Sequence, residues 1–262
     1  MRNLKFVAIA MTATMLCVAN GAYAQQIIAH RGHHSVAGAE ENSMAALRAA
    51  LDEGLYATEC DVNMTSDGEL VVVHGPWLGE KGDPDRLNIQ RSDLATIRSK
   101  RLKNGEPVPT LEEYLDEVAK SSSSTRLIIE IKDHATPQIE TEVVRKVVAM
   151  VKARKLHDRV DYIAFRQHVC NELVRLTPSG TSVSYLGGNL TPEYVKGLGY
   201  TGISYSVEAL KRVPRWIDEA QRLGLSVNIW TVNSADDAQW AVSKGVDYIT
   251  TDKPLTVKKY VK

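Results

Sequence analysis

Charge of one sign is what this chain most plainly lacks. Its 32 lysines and arginines balance 32 aspartates and glutamates, and no basic stripe stands out. A nucleic-acid partner is therefore not expected. Cysteine is scarce, with three in the chain, and Cys17 lies in an N-terminal apolar stretch. The other two, Cys60 and Cys170, are too far apart to suggest a disulfide framework and read as two small buried thiols. No G-x-G-x-x-G follows a strand-like segment, which counts against a dinucleotide-binding sheet. No internal repeat and no strong amphipathic anchor is apparent, so stable membrane binding is not expected. With 44% hydrophobic and 24% charged residues, the chain is ordinary for a folded protein and too apolar for disorder.

The N-terminus reads as a leader. Arg2 and Lys5 precede the apolar residues 6–17, and Ala22-Tyr23-Ala24 has the small-x-small form of a cleavage site. The apolar run is too short for a convincing membrane span. The residues before Cys17 lack the small side chain that a lipid attachment site wants. Residues 1–24 are thus expected to be a signal peptide and the protein exported, periplasmic or secreted. Loss of Arg2 and Lys5 would leave a net charge of about −2. Residues 25–262 are expected to form one domain.

From residue 26 onward short β-branched runs alternate with amphipathic stretches. Strands are predicted at 27–30, 58–64, 70–74, 126–132, 160–165, 182–186, 202–205, 226–232 and 247–251. Helices are predicted at 43–53, 111–120, 140–154, 169–176, 192–198, 214–223 and 235–244. Alternation of this kind argues for a parallel sheet with crossover helices. Nine strands is one too many for a barrel. The connection Thr65-Ser66-Asp67-Gly68 is too short for a parallel crossover, so 70–74 must be the return arm of a hairpin. Eight strands remain, and the predicted fold is α/β, a TIM-type (β/α)8 barrel. Residues 75–109 break the alternation and read as a loop insertion over the barrel mouth, with one short helix near 92–98.

In such a barrel chemistry sits at the C-terminal ends of strands, where His30, Glu59, Asp61 and Glu130 all fall. Glu59 and Asp61 are two apart on a strand and so share a face. Two carboxylates on one face repel unless a cation lies between them, and oxygen ligation suits Mg²⁺ or Ca²⁺. Cys60 should point the other way. If the hairpin turn centres near Asp67-Gly68, position 61 pairs with 74 and His74 lies beside Asp61. A one-residue slip would turn His74 away. His30 and His74 can share acid and base duties in phosphoryl transfer. Arg31 and Lys132 are natural phosphate partners, although Lys132 could instead neutralise the carboxylates. Glu41-Asn42-Ser43 either caps the first helix or braces the site. Trp230 is either core or a surface for the substrate's apolar part. His33 and His34 read as exposed loop residues, and His134, His157 and His168 have no evident partners.

These pieces in order resemble the glycerophosphodiester phosphodiesterase family, relatives of the phosphatidylinositol-specific phospholipase C barrels. The resemblance rests on Ala29-His30-Arg31-Gly32, Glu41-Asn42-Ser43, Glu59-Cys60-Asp61-Val62, Val72-Val73-His74, Ile129-Glu130-Ile131-Lys132, Trp230-Thr231-Val232-Asn233 and Thr251-Asp252-Lys253-Pro254. It implies a barrel with a small insertion and one divalent cation on Glu59, Asp61 and Glu130. It also implies His30 and His74 as the acid–base pair and Arg31 at the phosphate. The reaction implied is hydrolysis of a glycerol phosphodiester to an alcohol and glycerol 3-phosphate. Gly75 stands where the family usually has aspartate, and Glu40 where it has proline. Other readings are a lysophospholipid-cleaving enzyme, a barrel that binds phosphodiesters or sugars without turnover, and a glycosidase.

Overall fold

The computed structural model describes residues 25–261. The proposed leader lies outside them. Eight parallel strands close into a ring: β1 (Gln26–Ala29), β2 (Ala57–Met64), β6 (Arg126–Ile131), β7 (Val160–Ala164), β8 (Val183–Tyr185), β9 (Gly202–Ser206), β10 (Ser226–Trp230) and β11 (Tyr248–Thr251). β1 pairs with both β11 and β2, so the first strand is the closing seam. Around the ring lie α1 (Met44–Asp52), α3 (Leu111–Lys120), α4 (Pro137–Ala153), α5 (Gln167–Leu176), α6 (Pro192–Gly197), α8 (Arg215–Arg222) and α9 (Ala235–Ser243). The TIM-type barrel expected from the alternation is what forms.

Local chemistry explains where these helices start. Ser43, Thr110, Thr136, Thr191 and Ser234 each accept a first-turn backbone N–H through a side-chain oxygen. Thr110 and Glu113 form a reciprocal capping box, an arrangement in which the N-cap alone contributes about 1 kcal/mol. Each helix buries its apolar stripe against the strands' outer face, where Cys60, Val62, Leu127, Ile129 and Ile131 meet Val143, Val144 and Val147. A buried aliphatic side chain contributes roughly 1.5–3 kcal/mol, so this shell dominates stability. Cys60 and Cys170 are both free and buried. Cys60 belongs to the outer shell, facing away from Glu59 and Asp61 as period-two geometry requires.

Three details depart from the sequence-based expectation. First, the 70–74 arm does return antiparallel along β2, as β3 (Leu70–Val72), but its register is Val62↔Val72, Asn63↔Val71 and Met64↔Leu70. Asp61 therefore lies opposite Val73, not His74, and its backbone carbonyl accepts the Val73 N–H at 2.9 Å. The reason is the turn: Thr65 N–H donates to Glu69 and Gly68 N–H back to Thr65, which centres the hairpin on Asp67. Second, the insertion is more than a loop. Beside the short helix expected near 92–98, α2 (Leu94–Ser99), it holds a two-stranded ribbon, β4 (Trp77–Leu78) and β5 (Leu87–Asn88). These cover a small core of Val71, Val73, Ile89, Ile97 and Val108. Third, α7 (Val207–Arg212) and α10 (Pro254–Val257), short helices that follow β9 and β11, were not foreseen.

Candidate active site

The site lies at the C-terminal rim of the barrel. Glu59 and Asp61 come from β2 and Glu130 from β6, and one carboxylate oxygen from each lies within 4.8 Å of the others. All three are buried. Glu59 Oε2 accepts the Arg31 N–H at 2.9 Å, while its Oε1 is buried without a partner among the described residues. Asn42 grips Asp61 at both ends. Its amide donates to Asp61 Oδ2 at 2.8 Å, and its carbonyl accepts the Asp61 backbone N–H at 3.1 Å. Lys132 Nζ donates to Glu130 at 2.5 Å and Asp61 at 3.2 Å. Arg31 pairs with Glu41 at 2.6 Å and reaches Asp61 at 3.4 Å.

The two readings of Glu41-Asn42-Ser43 thus divide among the residues. Ser43 caps α1, and Glu41 and Asn42 hold the site. Arg31 and Asn42 both sit at positive φ, 53° and 59°. The loop after β1 can take this course because their backbones are tied down: Asn42 N–H donates to Arg31 and Gly32 N–H to Glu59. Lys132 is placed as the neutraliser of the acids and also borders the cavity, so both of its readings have a geometric basis.

A cavity of about 100 Å³ opens on this cluster, lined by His30, Arg31, Glu59, His74, Glu130 and Lys132 on its polar side. Ile163, Phe165, Leu186 and Trp230 form the apolar wall. Trp230 donates its indole N–H to Ser204 at 2.8 Å and meets Phe165 edge-on at 5.9 Å. It is therefore both packed and exposed to a ligand. His74 reaches the cavity despite the shifted register. The ladder ends at Val73, and the chain then bends through Gly75 at φ +47, carrying the imidazole off the sheet.

His30 is held from behind. Its Nδ1 lies 2.7 Å from Asp252 Oδ1, just past β11, and Asn233 donates to Asp252 Oδ2. Asp252 and Asn233 had been quoted within motifs but given no role. The signal was their position just past β11, which pairs with β1 once the ring closes, and just past its neighbour β10. His33 and His34 are not exposed: His33 is buried and His34 touches Asp252. His134 is also structural, taking the Met64 N–H at 3.1 Å, and His168 bonds to Thr141.

The electrostatics describe an acid cluster short of positive charge. Burial, reinforced by Asp61 and Glu130, pushes Glu59 well above the ordinary carboxylate range. Burial and Asp61 lift Glu130 to about 7 against the pull of Lys132. Burial also opposes ionisation of Asp61, yet Lys132, His74, Arg31 and Asn42 keep it below its usual value. His74 is exposed by surface area, yet partial desolvation, with Lys132 and Arg31 close by, lowers its imidazole to about 4 although Asp61 resists.

This has a consequence for stability. Carboxyls raised in the folded state bind more protons there than in the unfolded chain, so stability falls as pH rises through the folded pKa. His74 acts in the opposite direction, but the unfolded imidazole has largely lost its proton above pH 7. Between about pH 7 and 8.5 the cation-free protein should therefore lose stability, seen as a falling urea midpoint. A flat or rising midpoint would contradict the raised carboxyls.

The fit to a divalent cation rests on this chain's own groups. Three buried carboxylates converge, one oxygen is orphaned, and Arg31 and Lys132 do not fully compensate the charge. An all-oxygen donor set is what hard cations prefer.

Comparison with known proteins agrees with this geometry. Residues 30–256 match the model of the glycerophosphoryl diester phosphodiesterase family. A glycerophosphodiester phosphodiesterase of Parabacteroides distasonis, known as a crystal structure, is 39% identical over 90% of this chain and 95% of its own, with a TM-score of 0.84. A glycerophosphodiester phosphodiesterase of Caldanaerobacter subterraneus is 25% identical over 90% of this chain and 97% of its own. The fold is shared too by an Oleispira antarctica phosphodiesterase, solved with the product sn-glycerol-3-phosphate. It is 21% identical with a TM-score of 0.76 and covers 90% of this chain and 96% of its own. With the match running through every strand of the barrel that carries a site residue, this chain belongs to the glycerophosphoryl diester phosphodiesterase family.

Proposed function

We propose that this chain hydrolyses glycerol phosphodiesters to an alcohol and glycerol 3-phosphate at the β2–β6 rim. The observation that carries the reading is the convergence of a buried three-carboxylate cluster with His30 and His74 on one small cavity. Glu59, Asp61 and Glu130 would hold one divalent cation, Mg²⁺ or Ca²⁺, whose charge would offset that building on the phosphoryl oxygens.

The chain's own groups supply the rest. Arg31 and Lys132 border the cavity and offer N–H donors to phosphate oxygens. Asp252, kept ionised by donors from His30, His34 and Asn233 in spite of its burial, can only accept hydrogen bonds. The proton of His30 on that side is therefore on Nδ1, and Nε2 is left to exchange protons with the substrate. His74, with its lowered pKa, is neutral at pH 7 and takes a proton from the attacking oxygen, either water itself or a neighbouring substrate hydroxyl whose cyclic ester water then opens. His30, protonated at Nε2, gives one to the departing oxygen while Asp252 faces its charge. Trp230 and Phe165 offer their faces to the substrate's carbon skeleton, which also gives a geometric basis for lysophospholipids as a second substrate class.

The direct test is release of glycerol 3-phosphate from a panel of glycerophosphodiesters, with and without chelator. Release that chelator abolishes and added Mg²⁺ or Ca²⁺ restores is expected. Folded, cation-replete protein that releases none from any head group would overturn the proposal. The leader-like residues 1–24 extend it to an exported enzyme, to be checked by N-terminal sequencing of protein recovered outside the cytoplasm.

A further inference from the structure

His34 has no part in the chemistry above, yet its place in the structure is specific. Its side chain is 17% exposed, and its Nε2 lies 3.4 Å from Asp252 Oδ1. That is the same oxygen that His30 Nδ1 approaches at 2.7 Å. The carboxylate's other oxygen accepts from Asn233 Nδ2 at 2.5 Å, and the Asp252 backbone N–H donates to Asn233 Oδ1 at 3.0 Å. Both imidazoles must be donors, because an ionised carboxylate only accepts.

The groups around this carboxylate come from three places. The loop after β1 brings His30, His33, His34 and Arg31, whose guanidinium is engaged by Glu41 and Asp61. The segment after β11 brings Lys253, which is exposed. The segment after β10 brings neutral Asn233 and, at the start of α9, Asp237, which is tied to Ser234 and Lys211. Among the described residues, His34 is thus the only second titratable group bonded to the oxygen that orients His30.

We infer that His34 is a positioning residue: it donates Nε2–H to Asp252 Oδ1, pins that carboxylate against His30 and takes a share of its charge. A hydrogen bond to a carboxylate spreads the charge available to its other partners. Losing His34 frees Asp252 to move, and when the carboxylate stays in place it leaves more of its charge to His30. The inference rests on the reading of His30 as a proton-transfer group.

Two measurements on the full chain test it. Isotope-edited NMR of the histidine rings, with and without Mg²⁺, reads the titration midpoint of His30 directly. Steady-state kinetics on a glycerophosphodiester reads kcat and KM across pH. His34→Ala should raise the His30 midpoint by about half a unit and lower kcat about threefold to tenfold, with KM nearly unchanged. His34→Gln, which keeps an N–H donor at similar reach, should recover most of kcat and fold as the wild type does. An unmoved His30 midpoint in both variants, or a rise in KM with kcat intact, would overturn the inference. Absence of glycerol 3-phosphate release by the wild type would instead count against the proposed reaction, and the NMR result would still decide the role of His34.

Discussion

His30→Ala is expected to lower turnover of glycerophosphodiesters by about 10²–10⁴-fold, the usual contribution of a positioned proton-transfer group. The protein should stay folded, because His30 lies above the closed strand ladder and its side chain bonds only to Asp252. The loss should fall on kcat, since Arg31, Lys132 and the carboxylates still bind the phosphodiester. Asp252→Asn separates orientation from proton transfer. An amide can present its N–H side to Nδ1, which moves the ring proton to Nε2 and spoils the neutral acceptor form there. A smaller loss, with an altered pH profile, is expected of it. Initial rates against substrate concentration, with circular dichroism to show the fold, settle both. Turnover within tenfold of wild type in His30→Ala would remove this histidine from the chemistry.

The second large effect is on stability. Gly32→Ala should cost about 3 kcal/mol or more, read from urea unfolding, through a clash added to backbone strain. Gly32 sits at φ +83, and a Cβ there would lie 2.5 Å from Ala46 Cβ and 2.9 Å from the Ala46 carbonyl carbon. The neighbour is the first turn of α1, tied to this loop by the His33 N–H donating to Ala46 O at 2.9 Å. Neither side can retreat cheaply. Gly38→Ala is the control. Its φ is +80 but nothing lies within 4 Å of the added carbon, so only the strain of about 1 kcal/mol remains. Equal costs at the two positions would show that helix contact contributes nothing. Because Gly32 directly follows His30 and Arg31, the first variant should also lose activity below its unfolding midpoint.

Much of this arrangement was legible beforehand, and the reasons are local. Eight strands follow from alternation plus one connection too short to cross over. Glu59 and Asp61 share a face, and Cys60 the other, because strand geometry alone requires it. The register of the hairpin was not legible, since it depends on which residue the turn centres upon. The bonds between Thr65 and Glu69 that decide this leave no periodic mark. His74 reached the cavity for a different reason from the one inferred, by leaving the ladder. Asp252 and His34 were missed because they are 218 residues apart in sequence. Only closure of β11 onto β1 makes them neighbours. The exposed reading of His34 failed for the same reason, while His33 lies against Ser35 and the first turn of α1.

The seam has a meaning for how the protein becomes active. His30 directly follows the first strand of the ring and its carboxylate partner follows the last, 222 residues later. A chain still missing its final segment already carries all three acids, Asn42, Arg31 and His74, but nothing holds His30. Under the proposed mechanism, competence would arrive only when the end of the chain meets its beginning, however early the acids assemble. On that mechanism the contact would double as a proof of completion: partial, truncated or mis-docked copies would carry the acid cluster without an oriented His30.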